Sequence, residues 1–160
     1  MGGGTRSFEE FYEENYAAVC RALAAGLGIG SAAAEEAAQE AFVRALVRWR
    51  RVAPMERPSG WVYVTAVRVA LRRRPDAPAP IEPDAPDGAD AVTDRIMVLD
   101  AISRLPERQR LAVVLRYFAD LDLATIATAM DCALGTVKST LHAALRSLEV
   151  RLDDDYVKEP

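Results

Sequence analysis

Residues 122–148 have the sequence DLATIATAMDCALGTVKSTLHAALRSL, in which two apolar repeats of helical spacing flank a short turn. Asp122 precedes the first repeat and can cap its helix, and the turn is Asp131-Cys132-Ala133. A short helix, a brief turn and a longer helix predict a helix-turn-helix, although any helical hairpin has the same periodicity. The expected inward residues are Leu123, Ile126, Ala127 and Met130 in the first helix and Val137, Leu141, Leu145, Leu148 and Leu152 in the second.

Two more helices are predicted immediately upstream of this pair. One runs from about Thr93 to Arg104, and the next begins at Pro106, where the missing N–H of proline costs no hydrogen bond. The expected inward residues of this second helix are Leu111, Val114, Leu115 and Phe118.

The N-terminal part of the chain is also predicted to be helical. Ser7-Phe-Glu-Glu10 has the form of a capping box. Gly26, Gly28 and Gly30 are expected to break this helix, and Ser31 is expected to cap the next one. The expected inward residues are Phe8, Phe11, Tyr12, Val19 and Leu23 in the first helix, and Ala38, Phe42, Trp49 and either Ala45 or Leu46 in the second.

Residues 61–67, WVYVTAV, follow a loop bounded by Pro54 and Pro58, and their structure is ambiguous. Their β-branched content alone favours a strand. A helix fits as well, because Val62, Ala66 and Ala70 share one helical face and no second strand is visible to pair with this one. We predict a helix, and therefore an all-α fold.

A change of composition divides the chain into two small helical domains. Residues 75–91 contain five acids, five prolines, five alanines and no base, which is the composition of an extended linker. The predicted organisation is a first domain at 6–74, an acidic Pro-rich linker at 75–91, a second domain at 92–152 with the helix-turn-helix, and an acidic tail at 153–160.

Charge is strongly segregated although the formal net charge of the 160 residues is only -4. Residues 44–74 contain nine arginines and a single acid, Glu56, a local net charge of +8. Such a face predicts a polyanionic partner, and the acidic linker could cover it when that partner is absent. The alternative is a solvated basic face that binds nothing.

The remaining composition excludes several classes of protein. One histidine and two well-separated cysteines, Cys20 and Cys132, exclude a His/Cys zinc site and a disulfide framework, and they leave no credible nucleophilic triad. No apolar run reaches membrane-spanning length, and the start has no signal pattern. We expect a cytoplasmic protein that is not an enzyme and that uses no cofactor or metal.

Several stretches carry a resemblance to a known family. Residues 105–118, LPERQRLAVVLRYF, together with Ile126-Ala127 and Gly135–Ser139, resemble region 4 of the extracytoplasmic-function (ECF) sigma factors. Residues 34–44, AEEAAQEAFVR, resemble region 2.2, and Pro58–Tyr63 with Ala66 resemble the start of the region 2.3–2.4 helix. The order of the matches is also that of the family. The resemblance implies a bacterial RNA polymerase subunit that binds core polymerase and directs initiation at promoter DNA.

One set of candidate residues forms a polar ridge on the second helix. Side chains at this spacing suit docking on another helix, and the resemblance implies that the partner is the clamp coiled coil of the largest polymerase subunit. The alternative is a solvated face with local ion pairs, such as Glu40 with Arg44. The ridge consists of Glu36, Gln39, Glu40 and Arg44.

A second set combines arginines with aromatic residues. Single-stranded bases stack on aromatic rings while arginine neutralises phosphate, which is the chemistry that capture of a melted −10 element requires. The resemblance places a specificity loop at about Arg51–Pro58, and the family often has Asn and Asp where this chain has Arg68 and Arg72. The alternative is that Trp49 and Trp61 are core residues. The candidates are Arg51, Arg57, Trp61, Tyr63, Arg68, Arg72 and Arg73.

A third set lies on the last helix, away from its apolar face. Its early members would enter the major groove and the others would meet phosphates of a −35 element. The family commonly has Arg where this chain has Thr140 and Ala143, and a Ser cap where it has Ala133, so we expect weak −35 binding that depends on polymerase. The candidates are Thr136, Lys138, Ser139, Thr140, His142 and Arg146.

Two other functions remain open at this point. One is an adaptor or antagonist that binds polymerase but has lost promoter recognition, which the departures at Arg68, Arg72, Thr140 and Ala143 favour. The other is a helix-turn-helix regulator that binds DNA without polymerase, which the nearly neutral second domain disfavours. Exposed faces on both domains would also permit binding of an anti-sigma protein.

Overall fold

A computed structural model of the chain describes residues 6–73 and 89–157, and these residues contain helices but no strand. The all-α prediction is confirmed, including the helix for the ambiguous segment. In chain order the helices are α1 (Phe8–Leu27), α2 (Ser31–Val47), α3 (Trp49–Val52), α4 (Pro58–Arg72), α5 (Ala89–Ser103), α6 (Glu107–Val113), α7 (Leu123–Met130) and α8 (Leu134–Val157), with a π-helical turn (Val114–Phe118) that continues α6.

The ends of α1 and the start of α2 follow from local chemistry. Ser7 Oγ accepts from the Glu10 N–H at 3.1 Å and Glu10 Oε2 accepts from the Ser7 N–H at 3.3 Å, so the predicted capping box is confirmed. Gly28 ends α1 with a left-handed φ of 62°, which only glycine adopts without strain. The predicted break at Gly26 and cap at Ser31 are wrong, because Gly26 lies inside α1 and Gly30 precedes α2 without a side-chain cap.

The N-terminal half, residues 6–73, packs α1, α2 and α4 around a core rich in alanine and aromatic residues. Phe11 and Phe42 are buried, and the Trp49 ring lies 5.0 Å from that of Phe11 and 5.4 Å from that of Phe8 between centroids. Trp49 is therefore a core residue. Ala45 rather than Leu46 faces inward, because the tight contact of α2 with α1 and α4 runs along its alanines.

The C-terminal half, residues 89–157, buries most of the predicted apolar faces but not all of them. Phe118 is 55% exposed at the end of the π-helical turn, whose wider winding departs from the α-helical spacing used to predict its orientation. Leu145 is 41% exposed, because the buried line of α8 runs through Leu141 and Ala144. These two predictions are wrong.

The two halves pack against each other and share one continuous hydrophobic cluster. The contacts join α1 to α6 and α4 to α7. Gly26 allows the first contact, since a Cβ there would lie 3.0 Å from Leu111 Cδ1. The predicted boundaries shift as well: α5 begins inside the expected linker, at Ala89, and α8 continues into the expected tail, to Val157. Residues 74–88 lie outside the described part.

Candidate nucleic-acid and protein interfaces

The polar ridge of α2 is assembled as predicted and gains a neighbour from α4. Arg44 Nε donates to Glu40 Oε1 at 3.0 Å. Arg73 Nη1 lies 3.6 Å from Glu36 Oε1, and Arg73 Nη2 lies 3.8 Å from Glu40 Oε2. The local ion pair that we considered as an alternative is thus present, and Arg73, which was assigned to the DNA-contacting set, lies beside the ridge.

Gln39 links the ridge to α1. Its side chain and the Cys20 thiol both influence the pKa of the Tyr16 hydroxyl on α1. Burial raises the pKa of Tyr16 to about 12, and burial also raises the pKa of the Cys20 thiol. Both groups are therefore neutral at physiological pH and add no charge to this part of the surface.

An exposed apolar row on α2 was missed by the sequence analysis. Val43, Leu46 and Val47 are 57%, 52% and 78% exposed and lie on the same helix as the ridge. The signal was present in the sequence, because α2 has more large apolar residues than its single core-facing side can bury. The row adds apolar area to a surface that was predicted from polar residues alone.

The arginines of α3 and α4 form a basic face, but the aromatic residues divide. Arg51, Arg68 and Arg72 are exposed on these helices. Trp61 is half-buried against the core. The assignment of Tyr63 to DNA contact needs correction, because its side chain is only 4% exposed and burial raises its pKa. A ring packed inside the core cannot stack on a base.

Two arginines of this face form polar contacts with residues of the C-terminal half. Arg57 Nε lies 3.6 Å from Asp122 Oδ2, and Arg57 Nη1 donates to the Asp120 carbonyl at 3.4 Å. Arg68 Nη2 donates to the Thr128 carbonyl at 3.2 Å. Asp122 also caps α7 as predicted, since its Oδ1 accepts from the Thr125 N–H at 2.7 Å. This hydrogen bond, followed by the charge of Arg57, lowers the pKa of Asp122.

The last helix presents its predicted polar face to solvent. Five of the six candidates are exposed and Thr140 is half-buried. Thr140, Ser139 and Ala143 line one side of an open cleft of about 470 Å³, and the residues from Pro106 to Gln109 line the other. Arg108 at this cleft was not predicted; it donates to the Met130 carbonyl at 3.4 Å. The exposed candidates are Thr136, Lys138, Ser139, His142 and Arg146.

Neither a metal centre nor a membrane span is found within the described ranges. Their His, Cys, Asp and Glu side chains include no group of three or more that could hold a metal ion. Among the described residues, no helix combines the length and the apolar character needed to cross a bilayer.

Comparison with protein families matches both halves separately. The model of Sigma-70 region 2 matches residues 11–77, and the model of Sigma-70, region 4 matches residues 95–148. The two matches do not overlap and stand in the order that the sequence resemblance predicted. Together they contain every candidate residue named above.

Individual relatives match over parts of the chain. The ECF RNA polymerase sigma factor SigL of Mycobacterium tuberculosis is 37% identical over 73 residues, which is 46% of this chain and 41% of SigL. The RNA polymerase sigma-E factor of Streptomyces avermitilis is 33% identical over 104 residues, which is 65% of this chain and 55% of that factor. The aligned segments thus span about half the length of these relatives.

Solved structures show the same fold at low sequence identity. The sigma factor RpoE of Bartonella quintana, in complex with the anti-sigma factor NepR, superposes with a TM-score of 0.66 at 20% identity, covering 91% of this chain and 98% of RpoE. CnrH, in complex with the cytosolic domain of CnrY, superposes with a TM-score of 0.61 at 18% identity, covering 96% and 92%.

Proposed function

The chain belongs to the sigma-70 family, and from this premise we propose that it is a sigma factor of the ECF type that directs promoter-specific initiation of transcription. It docks on core RNA polymerase, captures the −10 element with its N-terminal half and binds the −35 element with its C-terminal half. It performs no covalent chemistry of its own and acts in the cytoplasm, where core polymerase is found.

One observation carries this proposal, namely the exposed polar face of α8 within the region 4 match. A recognition helix must place donors and acceptors in the major groove and cations against phosphates. Thr136 and Ser139 would supply the first chemistry, Lys138 and Arg146 would supply the second, and His142 would donate a hydrogen bond to a phosphate.

The surface of α2 is proposed to bind polymerase. Glu36, Glu40 and Arg44 provide paired charges that can exchange partners with another helix, and the neutral Gln39 completes the ridge. The exposed apolar row beside the ridge adds buried area on docking, which gives affinity that salt does not screen.

The basic face of α3 and α4 is proposed to hold single-stranded DNA. The exposed arginines would neutralise phosphates, and the half-buried ring of Trp61 offers a stacking surface. The two DNA sites are weak separately, so affinity arises from their linkage through the chain and through polymerase. The proposed contacts are Arg51, Arg57, Trp61, Arg68 and Arg72, with Arg73 shared with the α2 ridge.

A protein antagonist is a further proposed partner. RpoE, whose structure this fold resembles, was solved with a protein named as an anti-sigma factor. The exposed apolar row of α2 would suit such a partner, which would then compete with core polymerase.

The decisive test is transcription in vitro with bacterial core polymerase on sheared genomic DNA, with the 5′ ends of transcripts mapped with and without the protein. We expect discrete new start sites that share two upstream elements. Lys138→Glu with Arg146→Glu should abolish these starts, whereas Arg151→Glu, on the same helix but beyond the region 4 match, should preserve them.

Two other results would each overturn the proposal. Binding to core polymerase without new starts would favour the adaptor or antagonist, and restoring Arg at Thr140 and Ala143 would then test the cause. Sequence-specific DNA binding without any effect on polymerase would favour the stand-alone regulator.

A further inference from the structure

The outward side of α2 and its C-cap carries four charged residues spaced four apart, which places them on one row of the helix. We call Glu36, Glu40, Arg44 and Arg48 the charge row. The two acids come first along the chain and the two bases follow. The row is therefore opposite in charge to its own reverse, so an antiparallel copy of the same helix faces every acid with a base.

The two ends of the charge row are the least neutralised within the chain. The Glu36 side chain is 71% exposed, and in the described part of the chain its ion pair is with Arg73 at 3.6 Å. Arg48 is exposed, and among the described residues its side chain forms no ion pair. Glu36 and Arg48 lie about 18 Å apart along the helix, so they cannot pair with each other in one chain. The exposed charge at each end favours a partner from another molecule.

The exposed apolar row lies beside the charge row on the same helix. Its members Val43, Leu46 and Val47 are each more than half exposed. The two valines follow Glu40 by three and seven residues, so they share the helix face of that carboxylate. Their burial would supply most of the energy of association, because ion pairs at a surface contribute little. The charges would set the direction in which the helices meet.

We propose that α2 binds α2 of a second copy of this chain, antiparallel and about a twofold axis at the level of Phe42. This axis places Glu36 opposite Arg48 of the partner copy and Glu40 opposite Arg44 of the partner copy, since the members of each pair are equally far from Phe42. The valines of both copies are buried between the helices. A parallel pair would instead bring like charges together, so the charge row selects the antiparallel arrangement.

The dimer would cover the polar ridge and the exposed apolar row together. Both surfaces are proposed to bind core polymerase, so the dimer would be a form that must dissociate before it docks, and this consequence rests on the proposed function. The pairing itself follows from the charges and apolar residues of α2 alone. Because dissociation depends on protein concentration, the dimer would restrain the protein only when it is abundant.

The first test reverses charges at the two ends of the charge row. Sedimentation equilibrium of the full chain, from micromolar to millimolar concentration, measures the dimer. Glu36→Arg and Arg48→Glu should each weaken it at least about tenfold, because like charges then meet at both ends of the interface. The two changes together in one chain should restore the dimer, since every facing pair again has opposite charges. An equimolar mixture of the two single variants should form a mixed dimer for the same reason.

Substitutions on α8 control for total charge and for apolar area. Glu149→Arg repeats the charge change of Glu36→Arg at an exposed position and should leave the dimer unchanged. Val43→Gln with Val47→Gln removes apolar area, does not lower helix propensity and should weaken the dimer at least about tenfold. Val150→Gln, at a valine that is 62% exposed, should not weaken it. Circular dichroism should show unchanged helix content in each variant.

The second test locates the axis by disulfide formation between copies. The native cysteines are replaced by Cys20→Ala and Cys132→Ala, and a single cysteine is introduced at Val43 or at Val47. The two copies of position 43 would lie about 3 Å apart along the paired helices, within reach of a disulfide, and those of position 47 about 15 Å apart. Val43→Cys should therefore cross-link under mild oxidation and Val47→Cys should not, although Val47 is the more exposed.

A parent chain that stays monomeric up to millimolar concentration would overturn the proposal and leave the exposed apolar row to polymerase or an antagonist. So would a dimer that the double charge reversal does not restore, or one that cross-links at position 47 rather than 43, because its copies would not meet antiparallel at α2. These measurements contain no polymerase, so they fail or succeed separately from the transcription test. New starts in that test together with a monomer here would reject the dimer and retain the sigma-factor function.

Discussion

Asp122 has two structural roles, and the second depends on its negative charge. It accepts the hydrogen bond that caps α7, and it faces Arg57 across the interface between the halves. The ion pair is half-exposed and contributes at most about 1 kcal/mol to stability. The cap contributes about 1 kcal/mol more than alanine would. A single carboxylate therefore links the start of the helix-turn-helix to the packing of the two halves.

The pH dependence of stability should report this carboxylate. Its pKa in the folded protein lies below the ordinary value of 3.8, so its stabilising effect is complete above that value and is lost as pH falls through the folded-state pKa. We expect urea unfolding to separate the parent from Asp122→Asn by a constant amount between about pH 5 and 7. The separation should shrink below about pH 4.

The change Asp131→Asn controls for the loss of one negative charge from the same helix. Asp131→Asn should lose stability at acid pH in the same way as the parent does. An Asp122→Asn difference that stays the same at pH 3 would show that the cap and the ion pair do not depend on ionisation.

Trp49 packs edge-on against Phe8 and at a tilt against Phe11, at the edge of the core. Trp49→Ala should reduce the free energy of unfolding by about 3 kcal/mol, through lost burial and the cavity left behind. Trp49→Phe should cost less, since it preserves an aromatic ring at this site. Thermal and urea unfolding measure both. Unchanged stability with lost DNA binding would place Trp49 on the DNA-binding face instead.

At the scale of the elements, the end of α1 is determined by one glycine. Gly28 adopts a left-handed φ of 62°, and a Cβ there would also lie 3.0 Å from Arg110 Nη2. Gly28→Ala should destabilise the protein by about 1–2 kcal/mol through the cost of that conformation. Chemical unfolding gives the value directly.

Gly135 offers the matched control, because it lies in the first turn of α8 and has nothing within 4 Å of an added Cβ. Gly135→Ala should be neutral or stabilise by up to about 1 kcal/mol, since alanine has the higher helix propensity. Equal losses for the two substitutions would contradict the conformational explanation for Gly28.

Local chemistry explains why most elements could be predicted and some side chains could not. The caps at Ser7 and Asp122 depend on residues within a single turn, so both were predicted correctly. The orientation of Phe118 depends on a π-helical turn, and that of Tyr63 on how closely α4 approaches the rest of the core. Neither orientation depends on periodicity, so Phe118 was predicted inward and Tyr63 outward, and both predictions were wrong.

At the scale of the whole molecule, DNA binding should show a weak salt dependence that can be increased. Thr140 and Ala143 line the cleft beside the proposed DNA-binding face of α8 and carry no charge. Replacing either with Arg should add one phosphate contact and steepen the slope of log K against log salt by about 0.9. Binding to a duplex of arbitrary sequence, titrated at several salt concentrations, measures the slope.

The change Ala17→Arg adds the same charge on the exposed side of α1, far in sequence from α8. It should change the slope much less than Thr140→Arg does. Equal slopes for the two variants would mean that total charge, rather than this cleft, controls the binding.

The sequence by itself determined most of the helices, the two family regions, their order and the polar faces of α2 and α8, because periodicity, caps and charge are properties of short segments. Only the tertiary structure decided that the halves pack together, that Tyr63 is buried, that Arg73 lies beside Glu36, and that Arg57 and Arg68 face α7. The physical reason is that these contacts join residues far apart in the chain. Their geometry follows from how whole helices fill a shared core, and no short segment carries that information.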